Sequence, residues 1–169
     1  MARTSLRDYQ RELSERLKSA AAAGGAASRL GVQAGAEAWL VSLADAGEVI
    51  PAPAITPVPL TKPWFRGVAN IRGKLYGVVD FPAFLGGAPV APGEQVRLLL
   101  LGDKFRMGSA LLVDRLLGLR GAENFQARPL AAGGAPWLKA EFGDKDGTHW
   151  KELDVPRLVQ DPAFLEAAA

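Results

Sequence analysis

The chain has 169 residues, of which 49% are hydrophobic and 22% charged, a composition typical of one folded domain. It has no cysteine and one histidine, which excludes disulfides, thiolate metal sites and a cysteine nucleophile and disfavours a zinc site. The net charge is +2, with basic and acidic stretches alternating along the chain. That pattern favours separate protein-binding faces over a continuous nucleic-acid stripe.

The N-terminal extension, residues 1–29, contains a pattern that predicts an amphipathic helix over residues 4–18. Four apolar residues recur at steps of three or four and therefore share one helix face: Leu6, Tyr9, Leu13 and Leu17. The pattern fits a loosely attached extension or a short partner-binding helix. An Ala/Gly-rich stretch follows it.

Beyond residue 30, short apolar segments separated by turn residues predict a mainly β protein. The predicted strands span residues 37–43, 75–81, 97–101, 105–113 and 148–153. Between the first two lies a stretch with five prolines, residues 51–63. Because proline lacks an amide donor, this stretch is predicted to be an extended surface connection, with a peptide-like ligand as the alternative.

Two parts of the chain echo each other at an offset of 73 or 74 residues. Trp64 and Trp137 each begin a segment that passes a glycine-containing turn and ends in Asp-x-Pro, at Asp80 and Asp154. In both endings the aspartate can cap a short helix whose first turn contains the proline. Unless the match is chance, it predicts two similar strand-rich subdomains with both tryptophans largely buried in equivalent places.

Residues able to do chemistry are few. His149 fits a half-exposed strand residue, and the acidic residues Glu141, Asp144 and Asp146 fit an exposed hairpin rather than a calcium loop. No phosphate-binding loop and no Gly-x-Ser-x-Gly motif is present. We therefore predict no catalytic residue, no metal site and no cofactor.

A group of basic and aromatic residues offers an alternative function. These residues are Lys62, Arg66, Arg72 and Lys74, interleaved with Trp64, Phe65 and Tyr76. Such a mixture on a small barrel could bind single-stranded nucleic acid. The echo argues against this role for Trp64, because Trp137 holds the matching place, as a structural residue would.

The region from Val49 to Asp80 resembles the CheW-like adaptor domains. It has a proline-bordered loop after Val49-Ile50-Pro51 and a strand ending in Val79-Asp80. Between them stands the motif Gly67-Val68-Ala69-Asn70-Ile71-Arg72-Gly73. A later segment, Leu112-Val113-Asp114-Arg115-Leu116-Leu117-Gly118, is similar to the second-half Val-Asp-x-Val-x-Gly segment of the family. The residues of the motif from Gly67 to Gly73 are most similar to those of the PilI-type adaptors of twitching-motility systems.

The resemblance implies two side-by-side five-stranded SH3-like barrels over residues 30–160, with 161–169 as a C-terminal tail. It implies a non-enzymatic scaffold that couples a methyl-accepting chemoreceptor to the regulatory domain of a CheA-like histidine kinase. With no apolar run long enough for a membrane span and no secretory signal pattern, we expect a cytoplasmic protein recruited to receptor arrays.

The resemblance also nominates the residues that bind the receptor tip in the groove between the barrels. They are Glu48, Val49, Ile50, Val68, Asn70, Ile71 and Arg72. Glu48 and Arg72 are expected to form an ion pair, either at the receptor-facing surface or with a purely structural role. The kinase contact is expected in residues 97–159.

Overall fold

The computed structural model describes residues 10–11, 13–15, 28–130 and 132–169. Most of the helix predicted over residues 4–18 lies outside the described residues; those described, 10–11 and 13–15, are helical. The other described residues form eleven strands and three short α-helices. The strands are β1 (Arg29–Ala34), β2 (Glu37–Ser42), β3 (Ala46–Pro51), β4 (Phe65–Ile71), β5 (Lys74–Asp80), β6 (Arg97–Leu101), β7 (Ser109–Val113), β8 (Arg115–Arg120), β9 (Phe125–Arg128), β10 (Leu138–Asp144) and β11 (His149–Leu153). The helices are α1 (Phe81–Phe84), α2 (Val155–Leu158) and α3 (Pro162–Leu165).

The strands form two mixed sheets. The five-stranded sheet, ordered β3-β6-β7-β5-β4, uses one continuous stretch of chain, and we call it the central sheet. The six-stranded sheet, ordered β8-β1-β2-β11-β10-β9, combines both ends of the chain, and we call it the terminal sheet. The mainly β prediction is confirmed. The prediction of two five-stranded barrels is not, because one sheet has six strands and neither closes within the described residues.

The two sheets have the same spatial arrangement of strands, but the chain enters that arrangement at a different strand in each sheet. In the central sheet β5 pairs in parallel with β7, Val79 opposite Leu111. In the terminal sheet β11 pairs in parallel with β2, Leu153 opposite Val41. The hairpin β1-β2 therefore takes the place in the terminal sheet that β6-β7 takes in the central one. The subdomains are interleaved along the chain because the N-terminal hairpin completes the sheet built from the C-terminal strands.

The echoed residues occupy equivalent places, as predicted. The amide of Asp80 donates to the Trp64 carbonyl at 2.7 Å, and the amide of Asp154 donates to the Trp137 carbonyl at 2.8 Å. Each aspartate side chain caps the short helix that follows by accepting from the amide three residues on, at 3.1 Å in both. Both tryptophans are half-buried rather than largely buried, since they lie at the edge of the joint between the sheets.

The main core lies between the two sheets. It joins strand residues of both, including Trp39 and Val41 of the terminal sheet and Leu99 and Leu111 of the central sheet. Aromatic rings bridge the joint, with ring centroids 5.1 to 5.8 Å apart, in the pairs Trp39–Phe81, Trp39–Trp137, Trp64–Phe84, Phe84–Trp137 and Phe84–Phe164. The residues expected to be a tail thus contribute the buried Phe164 to this core.

Two strand predictions need adjustment. The strand expected over residues 105–113 begins only at Ser109, because residues 103–105 form a 3₁₀ turn and Arg106 has a left-handed backbone with φ of 54°. That conformation does not continue a strand. The sequence also did not delimit β1, β3, β4, β8, β9 and β10. The connection over residues 51–63 is extended, with isolated bridges at Thr56 and Thr61, as predicted.

Candidate partner-binding surface

The tip of the β4-β5 hairpin is a two-residue turn. Arg72 and Gly73 both have positive φ, 52° and 83°, between the paired residues Ile71 and Lys74. Positive φ at both central positions matches the right-handed twist of the flanking strands. Asn70 stabilises the turn by accepting a hydrogen bond from the Gly73 amide at 2.9 Å. The Asn-x-Arg-Gly motif therefore encodes a turn that projects the Arg72 side chain from a rigid hairpin.

Arg72 forms an ion pair with Glu48, as the resemblance to the CheW-like adaptors implied. Glu48 lies on β3 and the hairpin on β4-β5, so the pair joins the two edges of the central sheet. This contact requires the sheet to curl until its edges approach each other. The Arg72 side chain remains 69% exposed and that of Glu48 31%. The pair is thus open to a partner.

The proline-rich connection lies along the outer edge of β4. Thr56 and Val68 exchange two backbone hydrogen bonds, of 2.8 and 2.9 Å. The approach is so close that a Cβ on Gly67 would overlap the Thr56 carbonyl, and Gly67 has φ of 128°. Glycine at this position is therefore required by both space and backbone conformation.

The apolar residues nominated by the sequence are divided between surfaces. Val49 packs on the core between the sheets, whereas Ile50 packs on a second core on the opposite face of the central sheet. Ile71 is a buried member of that second core, only 9% exposed. Val68 is half-buried, while Asn70 is exposed. The structure thus brings Glu48, Val68, Asn70 and Arg72 to solvent near the hairpin, and it places Ile71 in the interior.

One exposed apolar residue near the hairpin was not singled out from the sequence. Leu75 is 61% exposed and lies directly opposite Asn70 across the β4-β5 ladder. Residues directly opposite each other project from the same face. The signal was available, since strand alternation from the buried Tyr76 and Val78 places Leu75 on the other face.

Charged pairs also tie the hairpin to the β6-β7 connection. The Lys74 ammonium lies 2.7 Å from Asp103 and 5.0 Å from the ring centre of Tyr76. The hydrogen bond with Asp103 raises the pKa of Lys74 and lowers the pKa of Asp103. Beside it, Lys104 pairs with Asp45 at 2.5 Å. The base of the candidate surface is therefore bordered by alternating charges.

The basic and aromatic residues considered for nucleic-acid binding are arranged differently from a stacking platform. Arg66 lies 3.8 Å from the buried Asp80, and Arg72 and Lys74 are paired as described. Trp64 and Phe65 pack on the core between the sheets, and Tyr76 is buried. Three of the four cations are thus paired with carboxylates and the rings are packed inward, so the group does not form an open track for a strand of bases.

The acidic hairpin β10-β11 is held by internal bonds. Asp144 accepts from the amides of Asp146 and Thr148 at 2.9 Å and from the indole of Trp150 at 2.8 Å. The indole bond, ahead of the amide bonds, lowers the pKa of Asp144. His149 is exposed, with Nε2 3.4 Å from the Glu141 carboxylate. Asp144 is thus a structural residue of the turn.

Residues 10–11, 13–15, 28–130 and 132–169 contain no group of three or more potential metal-ligating side chains. Within the same ranges, no helix is long and apolar enough to cross a membrane.

Comparisons with known proteins agree with this geometry. Protein PilI of Pseudomonas aeruginosa is 29% identical over 145 residues, which cover 83% of this chain and 80% of that protein. The crystal structure of the scaffolding protein TtCheW from Thermoanaerobacter tengcongensis shares the fold, with a TM-score of 0.64 and 17% identity over 76% of this chain and 88% of that chain. The family model of the CheW-like domain matches residues 29–163. The chain therefore belongs to the CheW-like domain family.

Proposed function

We propose that the protein is a non-enzymatic adaptor that couples a methyl-accepting chemoreceptor to a CheA-like histidine kinase. The observation that carries the proposal is the CheW-like domain match over residues 29–163. The similarity to PilI favours a pathway that controls type IV pili and twitching motility. In this proposal the protein acts in the cytoplasm at membrane-bound receptor arrays.

The receptor tip is assigned to the surface around the β4-β5 hairpin. Val68 and Leu75 supply apolar area, and Asn70, Arg72 and Glu48 surround it with polar groups. An apolar centre with a polar rim is the usual build of a protein interface. Arg72 suits a central role because arginine is enriched among residues that dominate binding energy. Val49, Ile50 and Ile71 support this surface from within.

The kinase regulatory domain is assigned to a different surface, within residues 97–159. A head-to-tail contact between unequal patches would let adaptor and kinase join in closed rings. The two partners would then bind the adaptor independently. This separation makes the two contacts distinguishable by mutation.

The test is a titration of the full-length protein with a purified receptor signalling tip and, separately, with a kinase regulatory domain. We expect saturable one-to-one binding to both, and no retention on single-stranded DNA. Salt-sensitive DNA retention without binding to either protein would support the nucleic-acid alternative and overturn the adaptor proposal.

A further inference from the structure

The two sheets differ in chemistry at one end of the face that each turns away from the joint. In the central sheet, Leu98 pairs with Leu112 on one side and with Ile50 on the other. All three pack in the second core, which also contains Val90 and Val96 of the connection from α1 to β6. That end of the central sheet is therefore apolar, and Val90 and Val96, only 4% and 8% exposed, help to close it.

The matching places of the terminal sheet hold two arginines. The parallel pairs that relate the sheets make Ser42 the counterpart of Leu112. Arg29 pairs with Ser42 on one side and with Arg120 on the other. The two arginines thus stand directly opposite each other, where the central sheet has a pair of apolar residues, and such residues project from the same face. Because Arg29 begins β1 and Arg120 ends β8, the pair lies at the end of the sheet.

A buried carboxylate and a third cation lie beside Arg29. The carboxylate belongs to Glu152, which is only 4% exposed and matches the apolar Val78 of the central sheet. One oxygen of Glu152, Oε1, lies 3.0 Å from the Nε of Arg29 and 3.8 Å from the Nζ of Lys139. A single carboxylate oxygen is therefore shared by two cations.

Arg120 has no ion-pair partner among the described residues. Its Nη2 donates to a backbone carbonyl of its own strand at 3.2 Å, and its buried Nε has no acceptor there. The guanidinium groups of Arg120 and Arg29 lie 5.2 and 5.1 Å from the ring centres of Trp150 and Phe142, two residues that pair directly in β10-β11. Like charges opposite each other are destabilising, and a buried charged donor without an acceptor adds to the cost.

The other carboxylate near Arg120 does not balance the charge. Asp144 accepts hydrogen bonds from the Trp150 indole and from the amides of Asp146 and Thr148, at 2.8 to 2.9 Å. The indole bond is the largest cause that lowers the pKa of Asp144, and the charge of Arg120 adds to it in the same direction. Even with Asp144 counted in full, the three cations face two carboxylates, so one positive charge is left over.

We propose that this end of the terminal sheet binds a phosphate group between Arg29 and Arg120, with Lys139 at the rim. The three cations come from three strands, β1, β8 and β10, and therefore approach from different directions. A tetrahedral phosphate presents oxygens to all three, whereas a planar carboxylate is matched by one guanidinium fork. The Lys139 side chain is 57% exposed and that of Arg29 16%, so a small anion reaches the site from solvent. The site is separate from the β4-β5 hairpin and does not depend on the adaptor role.

The test is an NMR titration of the full-length protein with inorganic phosphate, in which chloride keeps the ionic strength constant because salt alone screens charges. We expect saturable shifts of the side-chain Nε–H signals of Arg29 and Arg120 and of the Leu119 amide. The amide of Val49, at the matching place of the central sheet, should not shift. Acetate at the same concentrations should give no saturable shift. A titration with phosphoethanolamine distinguishes the sources: tighter binding than inorganic phosphate assigns the site to a phosphate monoester, and weaker binding assigns it to the free ion.

Substitutions separate a binding role of Arg120 from a structural one. Arg120→Ile should weaken phosphate binding about tenfold or more, since charged hydrogen bonds to the ligand are lost. Without phosphate it should unfold at the same urea concentration as the wild type or a higher one, because the repulsion with Arg29 is removed. Arg115→Ile removes the same charge from an exposed position on the same strand and should leave phosphate binding unchanged.

Lys139→Met keeps the test independent of any folding defect in Arg120→Ile. Lys139 is exposed, so its substitution should weaken phosphate binding without lowering the urea midpoint. The proposal is overturned if the wild type shows no saturable shift, if acetate binds as tightly as phosphate, or if Arg120→Ile and Lys139→Met both keep the wild-type affinity for phosphate. An equal loss of affinity in Arg115→Ile would also overturn it, because binding would then follow net charge rather than this site.

Discussion

The hairpins β4-β5 and β10-β11 are the same structural unit with different surfaces. In both, a tryptophan carbonyl binds the capping aspartate amide, and the ladder shifts register near the start of the first strand. At matching positions toward the tip, however, Val68 and Leu75 of the central hairpin correspond to Glu141 and His149 of the terminal one. The two hairpins share their backbone hydrogen bonds and register shift, but they present different side chains to solvent.

This difference bears on the proposed receptor contact. On the strands of the terminal hairpin, charged side chains are paired with each other or with the adjoining strand: Glu141 with His149 and Lys151 with Glu37 at 2.8 Å. The central hairpin instead presents exposed apolar Leu75 beside an exposed ion pair. We therefore expect the receptor tip to contact the central hairpin rather than the terminal one.

The largest effect should come from the glycine at the start of the central hairpin. Gly67→Ala should cost about 3 kcal/mol of unfolding free energy, because the new Cβ meets the Thr56 carbonyl at a positive φ. The matching position in the terminal hairpin is already Ala140, where alanine to glycine should cost only about 0.5–1 kcal/mol. Urea unfolding measures both. Equal losses of unfolding free energy in the two variants would contradict the proposed difference between the hairpins.

The next largest difference in stability is expected between substitutions of the two capping aspartates. Asp80 is fully buried and also accepts from the Val90 amide at 2.9 Å. Asp154 is half-buried, and besides capping its helix it lies only 3.7 Å from the guanidinium of the exposed Arg157. Asp80→Ala should therefore cost about 2–3 kcal/mol, a lost cap plus an unpaired buried amide. Asp154→Ala should cost about 1 kcal/mol. Chemical denaturation in which Asp154→Ala is the more damaging change would contradict this reading.

The ion pair at the central hairpin should show coupling in receptor binding. Glu48→Ala and Arg72→Ala should each weaken binding of the receptor tip, with little loss of stability, at most about 1 kcal/mol, because the pair is exposed. If the two side chains act together, the double mutant should lose less affinity than the sum of the single losses. Calorimetric titration of all four proteins measures the coupling. Additive losses would mean that the residues contact the partner separately.

The smallest effect concerns pH. Each hairpin turn is held by one side chain, the neutral Asn70 in one and the ionised Asp144 in the other. Because the folded state lowers the pKa of Asp144 below its ordinary value of 3.8, its stabilising contribution is complete above that pH and is lost as the pH falls further. Asp144→Asn should flatten the acid limb of the stability profile, and Asn70→Ser should leave its slope unchanged. An acid limb that is unaltered in Asp144→Asn would refute the assignment.

The sequence predicted the turns and helix caps of the fold better than the pairing of its strands. Trp64, Asp80 and their counterparts could be recognised because caps and turns are local features. The N-terminal hairpin could not be assigned to the C-terminal strands, since pairing between distant segments leaves no local signal.

The candidate site was predictable in its turn and its ion pair, and less so in its apolar part. The Asn-x-Arg-Gly motif locates Arg72, but which side of a strand meets solvent depends on what covers each face. Ile71 lies inside because the segment carrying Val90 and Val96 covers that face of the sheet. Leu75 is exposed because it lies on the opposite face of the sheet, next to the tip of the β4-β5 hairpin.

The most direct test of the account is the affinity of the receptor tip for full-length Arg72→Ala, compared with Lys145→Ala, an exposed residue in the terminal hairpin turn. Arg72→Ala should bind the tip about tenfold more weakly or worse, a loss of about 1–3 kcal/mol, while its affinity for the kinase domain is unchanged. Lys145→Ala should bind the receptor tip like the wild type. Wild-type receptor affinity in a normally folded Arg72→Ala protein, or an equal loss in Lys145→Ala, would contradict the account.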